Sequence, residues 1–382
     1  MPMNANPNPA ARPTSLILLL ALVALSASAA DTFVYFGTHR SGPGIGFSLA
    51  HFDTDTGALT KPQFITEAVE PAYFVIHPDG RHLYTCNSSK TTGAISAYVI
   101  DPKTGRLTLL NQKPSGGADP SYITLDKTGH YALVANYQGG NISVLTINPD
   151  YTLGAKTAFE QHTGRSVDPE RQTRPFAHSI VVDPSNRFAL VADLGLDKVF
   201  VYRFNEQDGS LTPNDPPFAT VKPGSGPRHV KFDSNGKWVY VINEMGCTVT
   251  GFKWNAEKGS LKEFQTISTL PEGFKGTNTC AELLIHPNGR FLYGSNRGND
   301  SIAVFAINQK NGKLTLVERV ASQGKWPRNF TFDPTGKWIL CSNHNSDNAV
   351  VFRVDGATGK LTQVGQPVAV PFPFCTRFLP VP

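Results

Sequence analysis

Charged and imidazole side chains in the middle of the chain have the chemistry of a hydrolytic site for an anionic molecule. His178 and Glu244 are candidate general bases that could take a proton from water. Arg228 and Arg297 are candidates for holding an anionic group or the oxyanion that develops on an attacked carbonyl. These residue types predict a pocket that binds an anionic substrate, supplies a base and polarises a carbonyl.

Other chemistries lack their sequence patterns. The chain contains no glycine-rich phosphate loop, no nucleophile elbow and no HExxH motif. Its five cysteines form no CxxC pair and have no histidine partners at zinc spacing, so we expect no metal site and no cofactor. Their odd number and scattered positions favour buried free thiols over disulfides.

An internal repeat of roughly 47 to 57 residues supplies the elements that would position these side chains, and this period is typical of four-stranded propeller blades. Each copy contains an apolar strand, a turn of the form Asp/His-Pro-x-Gly-Lys/Arg, a second apolar strand that ends in Asn or Asp, and later strands that close near Gly-x-Leu. The six copies of the strand-turn-strand unit read VIHPDGRHLYTCN (75–87), TLDKTGHYALVAN (124–136), VVDPSNRFALVAD (181–193), KFDSNGKWVYVIN (231–243), LIHPNGRFLYGSN (284–296) and TFDPTGKWILCSN (331–343).

The two ends of the chain supply a seventh, divided unit. Residues 32–59 match the later strands of a blade, and PFCTRFLP (373–380) matches a first strand. If these ends share one sheet, the ring closes and no edges stay exposed. The sequence therefore predicts an all-β fold, a seven-bladed β-propeller over residues 31–382 in which N- and C-terminal strands close the ring. A pair of β-sandwiches is the alternative, and the single repeat type along the whole length disfavours it.

Aligning the six copies on the first residue of the turn, position 0, separates residues that serve every blade from residues that serve one ligand. Position +10 is nearly uniform, which predicts a structural role in hydrogen bonding to turn backbone. Because the two strands pair antiparallel, positions −5 and +11 should lie on the same rim, and there the residues differ between copies. Position +10 is occupied by Asn87, Asn136, Asp193, Asn243, Asn296 and Asn343; position +11 by Ser88, Tyr137, Leu194, Glu244, Arg297 and His344; and position −5 by Ala72, Ser121, His178, Arg228, Ala281 and Arg328.

Charged and imidazole groups thus collect on one rim, near the central channel. We expect Arg228 and Glu244, at −5 and +11 of one blade, to face each other there. The predicted catalytic residues are His178, Glu244, Arg228 and Arg297, and the predicted substrate-binding residues are Arg328, His344, Tyr137, His229 and Glu282. The alternative interpretation is that these residues only form salt bridges between blades.

Residues 1–30 differ from the rest of the chain and have the three regions of a secretory signal peptide. A polar start that carries Arg12 precedes an apolar run over residues 16–25 and a small-residue stretch that ends in Ala30. We expect cleavage after Ala30 and export to the periplasm or the medium, with no membrane attachment of the mature chain; an uncleaved anchor is the alternative. The net charge of +5 is mild and evenly scattered, which argues against nucleic acid as a partner.

The segments HPDGRHLY, ANYQGG, RPFAH, GPRH, VINE, SNRG and PFCTRF follow one another in this order, one per blade, over residues 32–380. In this arrangement the chain resembles the propeller-type 6-phosphogluconolactonases, a family that also includes the fungal carboxy-cis,cis-muconate lactonising enzymes. The resemblance implies that the family's proposed active residues correspond to His178, Arg228, Glu244 and Arg297.

The same resemblance implies hydrolysis of a sugar lactone of the 6-phosphogluconolactone type. We expect this reaction to be metal-independent and the protein to be a monomer. Because that metabolite is cytosolic and the chain has an export leader, an unphosphorylated or aromatic-derived lactone is an open alternative. Two other functions also stay open: a muconate-type lactonising isomerase, and a propeller that binds a ligand without catalysis.

Overall fold

The computed structural model describes residues 1–3, 31–38, 45–88 and 91–381, so residues 4–30 of the predicted leader, with the last residue before its cleavage site, lie outside the described residues. In chain order the strands of the first half are β1 (Asp31–Thr38), β2 (Gly46–Asp53), β3 (Gln63–Glu67), β4 (Pro71–Ile76), β5 (His82–Asn87), β6 (Ala94–Ile100), β7 (Leu107–Pro114), β8 (Pro120–Leu125), β9 (Tyr131–Asn136), β10 (Asn141–Ile147), β11 (Leu153–Gln161), β12 (Ala177–Val182), β13 (Phe188–Asp193) and β14 (Lys198–Phe204). Those of the second half are β15 (Leu211–Thr220), β16 (Pro227–Phe232), β17 (Trp238–Asn243), β18 (Thr248–Asn255), β19 (Ser260–Ser268), β20 (Thr279–Ile285), β21 (Phe291–Arg297), β22 (Ser301–Ile307), β23 (Leu314–Ala321), β24 (Pro327–Phe332), β25 (Trp338–Asn343), β26 (Asn348–Val354), β27 (Leu361–Ala369) and β28 (Pro373–Pro380). A 3₁₀ turn, His344–Ser346, follows β25.

These strands form seven antiparallel sheets of four strands each, which confirms the predicted seven-bladed propeller. Blades 1 to 6 contain β4–β7, β8–β11, β12–β15, β16–β19, β20–β23 and β24–β27, and the closing blade has the order β28-β1-β2-β3. The first strands of neighbouring blades touch one another all the way round, from β4 and β8 to β28 and β4. They are therefore the inner strands that surround the central channel.

Ring closure by the two chain ends is confirmed. β28 pairs antiparallel with β1, with Leu379 opposite Phe33 and Cys375 opposite Gly37. The C-terminal segment is thus the innermost strand of a sheet whose other three strands come from the N-terminal end. This pairing leaves no inner strand of the ring without a neighbour, which removes the edges that an open array would expose.

Packing between blades explains the Gly-x-Leu part of the repeat. The Tyr240 hydroxyl in blade 4 donates to the Gly312 carbonyl in blade 5 at 2.7 Å, and the Tyr293 hydroxyl donates to the Gly359 carbonyl in the same way. Gly312 has a φ of +74° and a Cβ there would lie 2.6 Å from the Trp238 ring, so the position requires glycine. The same Gly-x-Leu turn therefore fastens one blade to the next.

Two positions of the repeat hold backbone in place: position 0, which is Asp in four copies and His in two, and the nearly uniform position +10. At position 0, Asp233 Oδ1 accepts hydrogen bonds from the backbone N–H groups of Lys237 and Trp238, both at 2.7 Å, and so fixes the turn between inner and second strands. At position +10, Asn343 Nδ2 donates to the Ser322 carbonyl at 2.9 Å. Its partner lies in the connection between blades and not in the turn that the sequence suggested. The structural role predicted for this position is present, with a different backbone segment as its partner.

Candidate active site

The pocket end of the inner strands is shaped by one β-bulge per blade. In blade 4, Pro227 lies opposite Asn243 and His229 opposite Ile242, which leaves Arg228 as an extra residue without a partner in the ladder. A bulge bends its strand and turns the extra side chain in a new direction. The extra residues of blades 1, 2, 3, 4 and 6 and of the closing blade are Ala72, Ser121, His178, Arg228, Arg328 and Phe374.

A cavity of about 220 Å³ lies at this end of the channel, and every blade contributes to its wall. Most of the wall consists of bulged residues of the inner strands and of residues that directly follow second strands. The lining residues are Ala72, Ser88, Asp119, Ser121, Tyr137, His178, Glu244, Arg297, Arg328 and Phe374. The side formed by blades 1 and 2 is small or hydroxylic apart from the Asp119 carboxylate, whereas blades 3 to 6 contribute the imidazole, the Glu244 carboxylate and the guanidinium groups.

Glu244 is the centre of the charged side. Its Oε2 contacts Arg297 Nη2 at 2.9 Å and Arg228 Nε at 3.1 Å, and its Oε1 contacts Arg171 Nη2 at 2.7 Å. Burial opposes ionisation of this carboxyl, but the three guanidinium groups outweigh burial and lower the pKa of Glu244 to about 2. The carboxylate is therefore charged at neutral pH and holds the arginines at the pocket.

Arg228 lies behind the cavity wall, with 2% of its surface exposed. Its Nη1 donates to the Ala281 carbonyl at 2.7 Å and contacts His229 Nε2 at 2.9 Å. The other ring nitrogen, His229 Nδ1, lies 2.8 Å from Glu282 Oε1. Burial lowers the pKa of His229 to about 3, so the ring is neutral and satisfies both contacts when Nδ1 donates and Nε2 accepts. A continuous chain from Glu282 through His229 thus fixes the orientation of Arg228.

His178 is the bulged residue of blade 3 and lines the cavity. Burial, together with the nearby positive charge of Arg228, holds the pKa of His178 well below its usual range, so the imidazole is neutral at neutral pH. Among the residues that the structure describes, its Nδ1 has no hydrogen-bond partner. The Tyr137 ring meets the imidazole edge-on at 5.2 Å between centroids.

Arg328 is the guanidinium that faces the cavity without a counter-ion. It stacks on the Phe374 ring at 3.5 Å from the centroid, and no carboxylate of the described residues lies within ion-pair distance of it. Burial and the nearby Arg228 lower its pKa from the usual arginine value. A half-buried arginine with an unused planar fork is suited to bidentate recognition of a carboxylate or phosphate.

The predicted site residues divide into three groups in the structure. His178, Glu244, Arg297, Arg328 and Tyr137 line one cavity. Three others, Arg228, His229 and Glu282, form the buried chain behind its wall. The last, His344, is not among the lining residues; its ring packs against Phe374 at 5.3 Å. The predicted facing pair Arg228 and Glu244 is in direct contact. The catalytic and binding roles themselves stay predictions.

Sequence reasoning missed Arg171, which reaches Glu244 from the connection between β11 and β12, residues 162–176. This connection lies outside the repeated unit, so Arg171 has no counterpart in the other copies with which it could be compared. Asp119, another lining residue, was missed for the same reason. The one available signal was the length of the connection, since long loops on a rigid scaffold carry function more often than short ones.

The described part of the chain contains no cluster of three or more His, Cys, Asp or Glu side chains arranged for a metal ion. Within the same residues no helix is long and apolar enough to cross a membrane. All five cysteines are buried and free, which agrees with the sequence interpretation.

The fold and the cavity define the class: a seven-bladed β-propeller with a cationic pocket at one end of its central channel. Residues 33–378 match the family model described as "Lactonase, 7-bladed beta-propeller". The chain is 35% identical over 345 residues to the 6-phosphogluconolactonase of Bacillus subtilis (strain 168), covering 90% of this chain and 97% of that protein. It therefore belongs to the lactonase family of seven-bladed β-propellers.

Two solved structures agree with this assignment. A periplasmic gluconolactonase of Pseudomonas aeruginosa superposes with a TM-score of 0.87 at 33% identity, covering 92% of this chain and 100% of that one. A protein from Bacteroides fragilis, described as a putative 6-phosphogluconolactonase, superposes with a TM-score of 0.86 at 33% identity, covering 92% of this chain and 99% of that one.

Proposed function

We propose that this protein hydrolyses the ester of a sugar-derived lactone in the cavity at the end of the channel, without a metal ion or cofactor. The observation that carries the proposal is the juxtaposition in one cavity of a neutral imidazole, His178, and a guanidinium without a counter-ion, Arg328. The names of the relatives in Bacillus subtilis and Pseudomonas aeruginosa support lactone hydrolysis as the reaction.

In the proposed reaction His178 takes a proton from water while the water oxygen attacks the lactone carbonyl carbon. Negative charge then develops on the carbonyl oxygen, and Arg297 or Arg328 stabilises it. The C–O bond of the ring breaks, and the proton passes from the imidazolium to the departing alkoxide. The product is an open-chain hydroxy acid, and His178 returns to its neutral form.

Glu244 suits a different role, although the sequence left it as an alternative base. Its oxygens contact three guanidinium groups and its pKa is lowered to about 2, which makes it a weak proton acceptor at neutral pH. We propose that Glu244 acts as a positioning residue that holds these arginines at the pocket. Arg228 belongs to the same arrangement, because its own contacts are to Glu244, His229 and backbone, and we assign it the electrostatics of the pocket.

The test is a panel of lactones, including 6-phosphogluconolactone and glucono-δ-lactone, assayed against spontaneous hydrolysis. The wild type should accelerate the opening of at least one sugar lactone, and His178→Asn should lower kcat/KM by about two to four powers of ten at unchanged thermal stability. Acceleration only of muconate lactonisation, or of no member of the panel, would contradict lactone hydrolysis.

We also propose that the mature protein is an exported monomer. The leader-like composition of residues 1–30 supports export, as does the periplasmic description of the Pseudomonas aeruginosa relative. Mass measurement of protein recovered from the periplasm or medium should give a chain that begins at Asp31. Light scattering of that material should give the mass of one chain, and a larger mass would exclude the monomer.

A further inference from the structure

Arg171 is held differently from the other two arginines that contact Glu244. Arg297 Nη2 also donates to the Cys280 carbonyl at 2.9 Å, and Arg228 Nη1 donates to the Ala281 carbonyl at 2.7 Å. Both are buried. The Arg171 side chain is 42% exposed; at the pocket it contacts Glu244 Oε1 at 2.7 Å and interacts with the Tyr137 hydroxyl. Of the three, Arg171 is therefore the guanidinium that can leave Glu244 at least cost.

The backbone that carries Arg171 is nevertheless fixed. The Asp168 carboxylate accepts the backbone N–H of Arg171 at 2.7 Å, and the buried Gln172 side chain donates to the Leu194 carbonyl at 2.8 Å. Ser166 Oγ donates to Asp197 Oδ2 at 2.6 Å. The connection is thus anchored on both sides of Arg171, so only its side chain needs to move for the guanidinium to change partners.

Exchange of partners is favourable when an anion enters the pocket. The Arg171 side of this ion pair is 42% exposed, so water solvates its guanidinium and weakens the attraction to Glu244. Glu244 keeps Arg228 and Arg297 as partners after Arg171 leaves, so no charge is stranded. A phosphate or carboxylate at the mouth of the cavity, the solvent-exposed end beside Arg171, would offer Arg171 a partner for a bidentate, charge-assisted hydrogen bond.

We propose that Arg171 is a specificity-determining residue that contacts a second anionic group of the substrate, remote from the ester that is cleaved. The inference rests on the proposed lactonase function and deepens it. Arg171 would favour lactones that carry a phosphate or carboxylate at the end of the molecule facing the mouth over neutral sugar lactones. A guanidinium that is already beside the cavity makes this contact without rearrangement of the fold.

The chain offers a matched control in Arg174, which lies on the same connection. Its guanidinium donates to the backbone carbonyl and the side-chain oxygen of Gln138 and stacks on the Phe176 ring at 4.5 Å. No contact joins it to Glu244 among the described residues. Arg171→Gln and Arg174→Gln therefore remove the same charge from the same segment, and only the first changes the pocket.

The experiment measures kcat/KM for 6-phosphogluconolactone and for glucono-δ-lactone, and compares the ratio of the two. Arg171→Gln should lower this ratio about 10- to 100-fold, mainly through KM, as expected for loss of one charge-assisted bidentate contact. Arg171→Lys should retain part of the preference, and Arg174→Gln should keep the wild-type ratio. An equal loss for both lactones in Arg171→Gln, or the same ratio in both glutamine variants, would overturn the assignment.

Calorimetry separates failure of this inference from failure of the proposed function. The open-chain product 6-phosphogluconate should bind the wild type more tightly than gluconate does, and Arg171→Gln should remove most of that difference. If the wild type hydrolyses no lactone, the function is wrong, and the binding difference still tests Arg171. If the wild type is an active lactonase but shows no binding difference between the two products, the role of Arg171 is wrong.

Discussion

The two ends of the blades differ in how much their residue types vary from one blade to the next. At the turn end, a carboxylate at position 0 accepts the same backbone N–H in blades 2, 3, 4 and 6: Asp333 Oδ1 accepts the N–H of Trp338 at 2.8 Å, as Asp233 does for the N–H of Trp238 at 2.7 Å. At the pocket end, position −5 of each copy carries a bulged residue whose type varies: it is an imidazole in blade 3 and a guanidinium in blades 4 and 6. Residue types that recur from blade to blade therefore serve the folding of each blade, and residue types that differ between blades form the single pocket of the ring.

The largest effect should follow from removing an element that serves both ends. Deletion of residues 373–382 removes β28, the inner strand of the closing blade, and exposes β1 along its full length. We expect loss of the cooperative fold, measured as loss of the thermal transition by circular dichroism. Deletion of residues 381–382 alone is the control and should keep the transition. A truncated chain that melts like the wild type would contradict closure by β28.

At the pocket end, substitutions should change turnover more than folding. Arg228→Ala should lower kcat/KM by about two to three powers of ten, because it removes a fixed positive charge behind the cavity wall and so weakens the electrostatic stabilisation of the oxyanion. Glu244→Gln keeps the shape of the side chain, so a comparable loss there would show that the charge is required to hold the arginines. Both constants are measured on the lactone that proves active.

A matched control for these variants is Arg377→Ala. Arg377 is also a guanidinium in the channel, where it stacks on Tyr73 at 4.7 Å, and it is not among the lining residues of the cavity. Its loss should lower the melting temperature and keep turnover per folded molecule. If Arg228→Ala and Glu244→Gln behave like Arg377→Ala, the pocket end is held by rim salt bridges and the catalytic assignment is wrong.

At the turn end, substitutions should change folding and not turnover. Asp333→Ala removes a buried carboxylate that accepts hydrogen bonds from Thr335 and Trp338, so the free energy of unfolding should fall by about 1.5 to 3 kcal/mol. Denaturant melts measure this loss, and kcat/KM per folded molecule should equal that of the wild type. Reduced turnover at unchanged stability would contradict the assignment of a purely structural role to the turn end.

The smallest expected effect is on the pH profile. An ordinary histidine base would lose half of its activity near pH 6.5, but burial and the neighbouring Arg228 lower the pKa of His178. The neutral, active form therefore persists below pH 6.5, and kcat/KM corrected for spontaneous hydrolysis should stay level from about pH 8 to about pH 6. An acid limb with its midpoint at or above pH 6.5 would contradict His178 as the base.

The fold and most of the pocket could be predicted because the chain repeats itself. Comparison of copies identified position +10 as structural and positions −5 and +11 as variable, and five of the nine predicted site residues line one cavity. No single strand contains that information, since an alternating apolar strand reads the same whether its end carries Arg228 or Ala281.

Two features could not be found in this way. The bulge at position −5 depends on pairing between strands, and because of it the neighbouring residues His229 and Glu282 lie behind Arg228 and not on the cavity wall. Arg171 reaches the pocket from a connection between blades, where no repeat exists to compare. Pairing and long-range contacts both arise in three dimensions, and a pattern along one strand does not encode them.

The bulges also bear on how such a ring changes over time. Since a bulged residue has no partner in the ladder, its replacement disturbs no directly opposed cross-strand pair of side chains. The positions that meet the ligand are thus the ones on which folding places the weakest demand. Selection can therefore alter the chemistry of the pocket blade by blade while the ladders of the sheets stay as they are, and a library randomised at 121, 328 and 374 would sample new ligands on the same scaffold.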